Sequence, residues 1–134
     1  VSLIATAPKD MLDIKATLRW HADNGVRVIG ADSSRCTGYI FNSADVPLQG
    51  RLDGGLPSAR GRLLILNGIP AGERIQDASM ICLGIAAGKR AEAAGGIYHP
   101  AANAEFDRLT GGESSRIQLR SIIANAMLAR HLTE

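Results

Sequence analysis

A run of five residues with chemically useful side chains, Asp32-Ser33-Ser34-Arg35-Cys36, follows the apolar segment Val-Ile-Gly-Ala. An aspartate can act as an acid, a base or a hydrogen-bond acceptor, and an arginine can hold an anion. A cysteine beside an arginine can become nucleophilic when its thiol pKa falls. The same residue types are also typical of a simple turn, because short polar side chains bond to nearby backbone amides. Taken alone, the run favours the turn.

Three other predicted strands also end in polar residues. The first strand ends at Thr6, with Lys9 and Asp10 close behind, and two later strands end at Asn67-Gly68 and at Tyr98-His99. Ligands of open α/β sheets bind beyond the carboxyl ends of the strands. If these strands are parallel, we expect Asp32 and His99 to share one rim as catalytic residues, with the imidazole transferring protons near neutral pH. The alternative is a histidine that bonds a backbone carbonyl.

The segment Asn67-Gly-Ile-Pro-Ala-Gly72-Glu leads from a strand towards a predicted helix. A helix N-terminus presents free amides and a positive dipole end, which is favourable for anions. We therefore expect Asn67, Gly68 and Gly72 to bind ligand together with Ser33, Ser34 and Arg35. The spacing matches neither G-x-G-x-x-G nor G-x-x-x-x-G-K-[ST], so dinucleotide and P-loop sites are disfavoured. The alternative, a connection that needs glycine for positive φ, is favoured.

The pattern of apolar residues predicts alternating strands and helices. Strands are predicted at 2–7, 26–31, 37–41, 62–66 and 96–100, and an edge strand at 46–52 that contains Pro47 forms a hairpin with residues 37–41. Helices are predicted at 8–25, from about 73 to 95, at 101–110 and at 114–132. Ser115 and Gln118 have the spacing of a capping box for the last helix.

This order predicts an α/β fold with a small, mostly parallel sheet and flanking helices. The expected arrangement has three layers, as in flavodoxin-like or Rossmann-like folds, with one antiparallel hairpin excursion; an α+β fold is the alternative. The length of 134 residues predicts a single domain. Residues 53–61, rich in glycine, proline and arginine, are expected to form an exposed loop.

The composition disfavours several functional classes. The net charge is +2, with 15 basic and 13 acidic residues, and aromatic residues make up 4%, so a nucleic-acid partner is not expected. No apolar run reaches the length of a membrane span and no signal peptide is recognisable, so we expect a cytoplasmic protein that does not use a membrane. The two cysteines form no CxxC or Cys/His cluster, so no metal site is predicted. The sequence specifies no cofactor.

Two functional hypotheses remain. The first is a domain, with or without enzymatic activity, that binds a small anionic ligand carrying phosphate or carboxylate at the strand ends. The second is a non-catalytic assembly module that forms homo-oligomers or captures a partner through helix faces. Two features support the second hypothesis: the small-residue patch at Gly84 and Gly88, and the last helix, which carries three arginines besides its apolar residues. Close packing against the patch is expected from the sheet or from a partner.

Overall fold

The computed structural model describes residues 1–58 and 61–134. A three-stranded parallel sheet is flanked by helices, and a separate two-stranded sheet is antiparallel. The strands are β1 (Ser2–Ala5), β2 (Val26–Gly30), β3 (Arg35–Cys36), β4 (Val46–Pro47) and β5 (Arg62–Leu66). The helices are α1 (Ile14–Asp23), α2 (Ser79–Ala93), α3 (Tyr98–Leu109) and α4 (Glu113–Thr133). This architecture confirms the predicted α/β class.

Strand β5 lies at the centre of the parallel sheet. It pairs with β1 on one side and β2 on the other, so that Leu64 stands between Leu3 and Val28. Strand β5 is the most continuously apolar strand, because a strand inside a parallel sheet that is flanked by helices is buried on both faces. The carboxyl ends of β1, β5 and β2 therefore meet at one edge, as the sequence predicts.

The two faces of the sheet are buried by alternation along the strands. Val28 and Leu64 pack with Ile14 and Leu18 of α1. Ile29 and Ile65, which alternate to the opposite face, are both 0% exposed. Helix α1 begins later than predicted, because Asp13 caps it by accepting a hydrogen bond from the Ala16 amide at 2.9 Å. Residues 8–12 are thus left outside the helix.

The predicted strand at residues 37–41 is wrong. The pairing lies earlier, where Arg35 and Cys36 of β3 face Pro47 and Val46 of β4, respectively. Of the predicted strand, only Phe41 forms an isolated bridge, with Ile75. The predicted antiparallel pairing is thus present but short. Its proline lies in the edge position that a residue without an amide hydrogen tolerates.

The predicted strand at residues 96–100 is also wrong, since Tyr98 and His99 begin helix α3. Pro100 is compatible with this helix because it lies in the first turn, where the amide has no intrahelical acceptor. Helices α2 and α3 form a hairpin whose turn contains Gly95 at φ +81°. The short apolar segment before Pro100 is compatible with a strand or a helix, and tertiary packing favours the helix.

Helices α2 and α4 begin at residues other than those predicted. Helix α2 begins at Ser79 rather than near Glu73, because residues 71–73 form a separate 3₁₀ turn. Helix α4 begins after Gly112, and Ser115 does not cap it. Instead, the Asp107 carboxylate accepts the Ser115 amide at 3.3 Å from the preceding helix.

The segment that follows β4 in the chain runs along the edge of β2. Gly30 donates to the Gly50 carbonyl and accepts from the Leu52 amide, at 3.0 and 2.8 Å. Of the predicted loop at 53–61, residues 53–58 contain no helix or strand and are mostly exposed, while residues 59 and 60 lie outside the described part. None of the helices in residues 1–58 and 61–134 is long and apolar enough to cross a membrane.

The small-residue patch on α2 is occupied from within the chain. A Cβ at Gly84 would lie 2.2 Å from the Phe106 ring, and a Cβ at Gly88 would lie 2.6 Å from the Tyr98 ring. Both aromatic rings belong to α3. The expectation that the patch meets the sheet or a partner is therefore wrong, and the patch instead lets the two helices of the hairpin approach closely.

Substitution of Gly84 by alanine is expected to destabilise the protein. Phe106 is 1% exposed and has no free space to move into, so the added methyl group overpacks the hairpin. We expect a loss of about 1–3 kcal/mol in the free energy of unfolding, measured by urea denaturation. Gly55→Ala is the control, because a Cβ there meets nothing within 4 Å. Equal stability of the two variants would contradict this packing.

Candidate functional site

Two adjoining recesses open at the carboxyl ends of the parallel strands, with volumes of about 290 Å³ and about 310 Å³. We name them the Arg74 recess and the Arg120 recess after one lining arginine in each. Both recesses are lined by Asp32, Gly68, Ile69 and Pro70, so the Asp32 side chain is accessible from either recess. The combined space is of the size that small-molecule sites usually have.

The linings come from several segments that are distant in sequence. The Arg74 recess is also lined by Thr6, Ser33, Arg35, Cys36, Thr37, Gly38, Leu66, Ala71 and Arg74. The Arg120 recess is also lined by Asn67, Glu73, Ile117, Arg120, Ser121 and Ala124.

The structure brings together five of the eight predicted site residues: Asp32, Ser33, Arg35, Asn67 and Gly68. Three others line neither recess: Ser34, Gly72 and His99. His99 lies on α3 rather than at a strand end, and its ring meets the Tyr98 ring edge-on. The proximity to Asp32 on which its expected proton transfer depended is therefore missing.

The Asp32–Arg35 segment forms the turn that is one of the two predictions for it. The Ser33 hydroxyl oxygen accepts a hydrogen bond from the Arg35 amide at 3.1 Å, as in an ordinary turn. Gly30 precedes the turn because a Cβ there would lie 1.7 Å from the Ser33 carbonyl oxygen. The tight turn nevertheless leaves Asp32 exposed at the junction of the two recesses.

Arg35 is less free to hold a ligand than the sequence suggests. Its Nε forms an ion pair with Asp45, and its side chain is 48% exposed. The hydrogen bond and the charge of Asp45 raise the pKa of Arg35 above its ordinary value. Since the guanidinium is already paired, Arg35 lines the Arg74 recess without being an obvious anion clamp.

Arg74 is the principal site residue that the sequence reasoning missed. It is 8% exposed, and its Nε donates to the Ile69 carbonyl at 2.8 Å. Its Nη1 donates to the Thr37 hydroxyl at 2.9 Å and to the Asn42 side-chain oxygen at 3.3 Å. Burial lowers the pKa of Arg74, and the charge of Asp10 opposes that shift. An arginine nevertheless remains cationic in proteins.

No sequence signal distinguished Arg74, since it lay within a segment predicted to belong to the long helix. Thr37 was likewise assigned to a strand that does not form. Arg120 and Ser121 belong to the predicted last helix, and only the packing of α4 against the rest of the chain brings them to the recess. Thr6, in contrast, had been expected at the end of the first strand.

Cys36 is not placed for nucleophilic chemistry. It is 5% exposed, and burial raises the pKa of its thiol, although the Gly38 amide and the Arg74 charge partly oppose this. A reactive cysteine needs the opposite condition, a lowered pKa with access to solvent. Its contacts with Ile14 and Leu66 in the core indicate a packing role.

The Asp10 carboxylate organises the wall beside the site. It accepts the Tyr39 and Ile40 amides at 2.9 Å each and the Phe41 amide at 3.2 Å, and the Ser43 hydroxyl also donates to it. Asp10 is 8% exposed. Because its oxygens are fully used by residues 39–43, it shapes the loop next to Thr37 rather than offering a free acid.

A chain of hydrogen bonds joins three elements below the Arg120 recess. The Asn67 side-chain amide donates to the Asn125 oxygen, and the Asn125 amide donates to the Thr6 hydroxyl, both at 3.1 Å. These bonds connect the ends of β5 and β1 to α4. Asn67 is thereby held in a fixed orientation at the rim of the recess.

Within the described ranges, no group of three or more His, Cys, Asp or Glu side chains lies close enough together to hold a metal ion. The polar groups of the recesses are arginines, hydroxyls, an amide and two exposed carboxylates, Asp32 and Glu73. The arrangement can bind a charged small molecule while placing Asp32 beside it.

Comparison with known proteins finds similarity to pseudouridine-5'-phosphate glycosidases, and no family model matches the chain. The chain is 24% identical over 143 residues to a pseudouridine-5'-phosphate glycosidase of Thermus thermophilus, covering 96% of this chain and 50% of the relative. It is 26% identical to a pseudouridine-5'-phosphate glycosidase of Methylobacterium nodulans, covering 98% of this chain and 43% of the relative. The chain thus spans about half the length of the curated relatives it matches.

Replacement of Asp10 by asparagine is expected to destabilise the loop at residues 39–43. The neutral side chain offers one acceptor oxygen and turns an NH₂ group towards backbone amides that are themselves donors. We expect a loss of about 2–3 kcal/mol in the free energy of unfolding, the cost of leaving buried donors unpaired. Urea denaturation measures it, with Asp53→Asn in the exposed loop as control. An Asp10→Asn protein as stable as the control would contradict the assigned role.

Proposed function

We propose that the chain forms the substrate-binding α/β part of an enzyme that cleaves or forms the bond between a phosphorylated sugar and a base. The observation that carries the proposal is the meeting of Asp32, Asn67 and Arg74 at the two adjoining recesses. The resemblance to the two glycosidases supports a nucleoside 5'-phosphate as the substrate class. Pseudouridine 5'-phosphate is the first compound to test.

The two recesses suit a molecule with chemically distinct ends. A nucleoside 5'-phosphate has an anionic phosphate, a neutral sugar and a planar base with amide-like groups. A buried guanidinium lines the first recess, and Asn67, Ser121 and Arg120 line the second. We assign the phosphate to the Arg74 recess and the base to the Arg120 recess, which brings the sugar near the shared residue Asp32.

Asp32 is the proposed acid or base of the reaction. Cleavage by water gives a hydroxyl group to the sugar carbon and a hydrogen to the base, so a proton must be taken up and delivered beside the bond. Asp32 is exposed at the junction, where that bond would lie. Glu73 is a second carboxylate in the lining of the Arg120 recess. Glycosidases commonly use two carboxylates in such roles.

The test is to incubate the protein with pseudouridine 5'-phosphate and to follow uracil and ribose 5-phosphate by chromatography. Asp32→Asn is expected to lower kcat about 10²-fold or more, because an acid–base group contributes about that factor. Asp23→Asn is the control, since the Asp23 side chain is 67% exposed on α1. Thermal shift with the same compound measures binding separately, where about 2.7 kcal/mol of stabilisation is expected at 100 times Kd.

The proposal would be contradicted if the compound leaves the melting temperature unchanged and no base is released from any pyrimidine nucleoside 5'-phosphate. Unaltered kcat in Asp32→Asn would leave the substrate class standing and remove the role of Asp32.

A second candidate function, assembly through a helix face, is favoured by one observation on α4. Leu119, Ile122, Ile123 and Met127 recur at helical spacing and are 60%, 62%, 53% and 68% exposed. The sequence pattern had given this helix an apolar face, but the structure buries the opposite side, which contains Ile117 and Ser121. Apolar faces of this kind commonly mark an interaction site. A second copy of the chain, meeting face to face about a twofold axis, is the occupant we assign.

Sedimentation velocity over a range of protein concentrations tests this assembly. The parent chain is expected to form a dimer, and Ile122→Lys is expected to be monomeric because it places a charge in the centre of the apolar face. Trp20→Lys, at an equally exposed site on α1, is the matched control and should remain dimeric. A parent chain that stays monomeric at high concentration would overturn the proposed pairing.

A further inference from the structure

One edge of the Arg74 guanidinium bonds to no group among residues 1–58 and 61–134. Its Nε and Nη1 are held by Ile69, Thr37 and Asn42. Its Nη2 donates to no acceptor in the part of the chain that the structure describes, although Arg74 as a whole is 8% exposed. Because Nε and Nη1 fix the plane of the guanidinium, the remaining edge has a fixed direction.

The charge of Arg74 is also uncompensated by direct contact. Six ion pairs are formed among residues 1–58 and 61–134, and Arg74 belongs to none of them. Buried charged side chains are ordinarily paired, because removal from water is costly. An anion bound from solution would supply the missing partner.

Gly68 leaves room for such an anion. A Cβ at this position would lie 3.7 Å from Arg74 Nη2, so the glycine keeps open the space beside the free edge. The amides of Gly68 and Ile69 donate to no acceptor among the described residues. Both residues line the Arg74 recess together with the Thr6 and Thr37 hydroxyls. The free edge of Arg74 thus faces further donors suitable for an oxygen anion.

We propose that Arg74 is the phosphate anchor of the Arg74 recess, binding a phosphate monoester through Nη2 while the open space at Gly68 admits its oxygens. The inference deepens the proposed function and rests on it for the identity of the phosphorylated substrate. Phosphate fits this donor set better than carboxylate, because its several oxygens can accept from a planar guanidinium and from backbone amides together.

Isothermal titration with inorganic phosphate and with ribose 5-phosphate, at constant ionic strength held with chloride, tests the anchor. Arg74→Lys keeps the positive charge but removes the planar edge. Gly68→Ala keeps Arg74 and fills the space beside it. We expect each substitution to weaken phosphate binding about tenfold or more, which corresponds to about 1.4 kcal/mol.

The Gly68 substitution keeps the test informative if Arg74→Lys disturbs the loop. Gly68 is exposed and has no positive φ, so alanine should leave the melting temperature unchanged. Gly55→Ala is the matched control and should retain the parent affinity, because a Cβ there meets nothing within 4 Å. Parent-like phosphate affinity in both test variants, no phosphate binding by the parent, or a preference for acetate over phosphate would overturn the proposal.

Kinetics separate this inference from the proposed function. If Arg74 positions the phosphate, Arg74→Lys raises the KM for pseudouridine 5'-phosphate. The KM for unphosphorylated pseudouridine then stays nearly the same. Phosphate binding that depends on Arg74, without base release, would uphold the anchor and refute the glycosidase activity. Base release with KM unaffected in both test variants would uphold the activity and refute the anchor.

Discussion

The constraint on which the site most depends is the buried carboxylate of Asp10. By accepting three consecutive backbone amides and the Ser43 hydroxyl, it fixes residues 39–43 against the segment that leaves β1. A loop without helix or strand pairing must satisfy its buried amides in some other way. Asp10 does so at one point, and the loop position in turn determines where Thr37 and Asn42 lie.

Thr37 and Asn42 are the residues that hold one side of the Arg74 guanidinium. The hydrogen bonds therefore run from the end of β1 through the loop to the segment after β5. Strand β5 pairs with a strand on each side and therefore holds the start of this segment in a fixed position. A rigid strand end carrying polar loops is the usual way in which α/β proteins separate stability from binding.

One side of helix α4 packs against the domain beside the site, and the other side is exposed. Its buried side supplies Ile117 and Ser121 to the Arg120 recess, the exposed Arg120 also lines this recess, and Asn125 links the helix to both neighbouring strand ends. Its other side is an exposed apolar face. A helix with two apolar sides is typical of a layer inside a larger assembly.

The sequence alone determined the α/β class and the polar residues that follow the strands, because strand and helix periodicities are local properties. It left the parallel pairing of the strands as a condition, and only the paired strands bring Asp32, Asn67 and Gly68 together. Only tertiary structure decided that Tyr98 and His99 belong to a helix, since a short apolar segment before a proline suits either element. Tertiary structure also selected Arg74, because its burial and its hydrogen bond to Thr37 arise from contacts between segments distant in the chain.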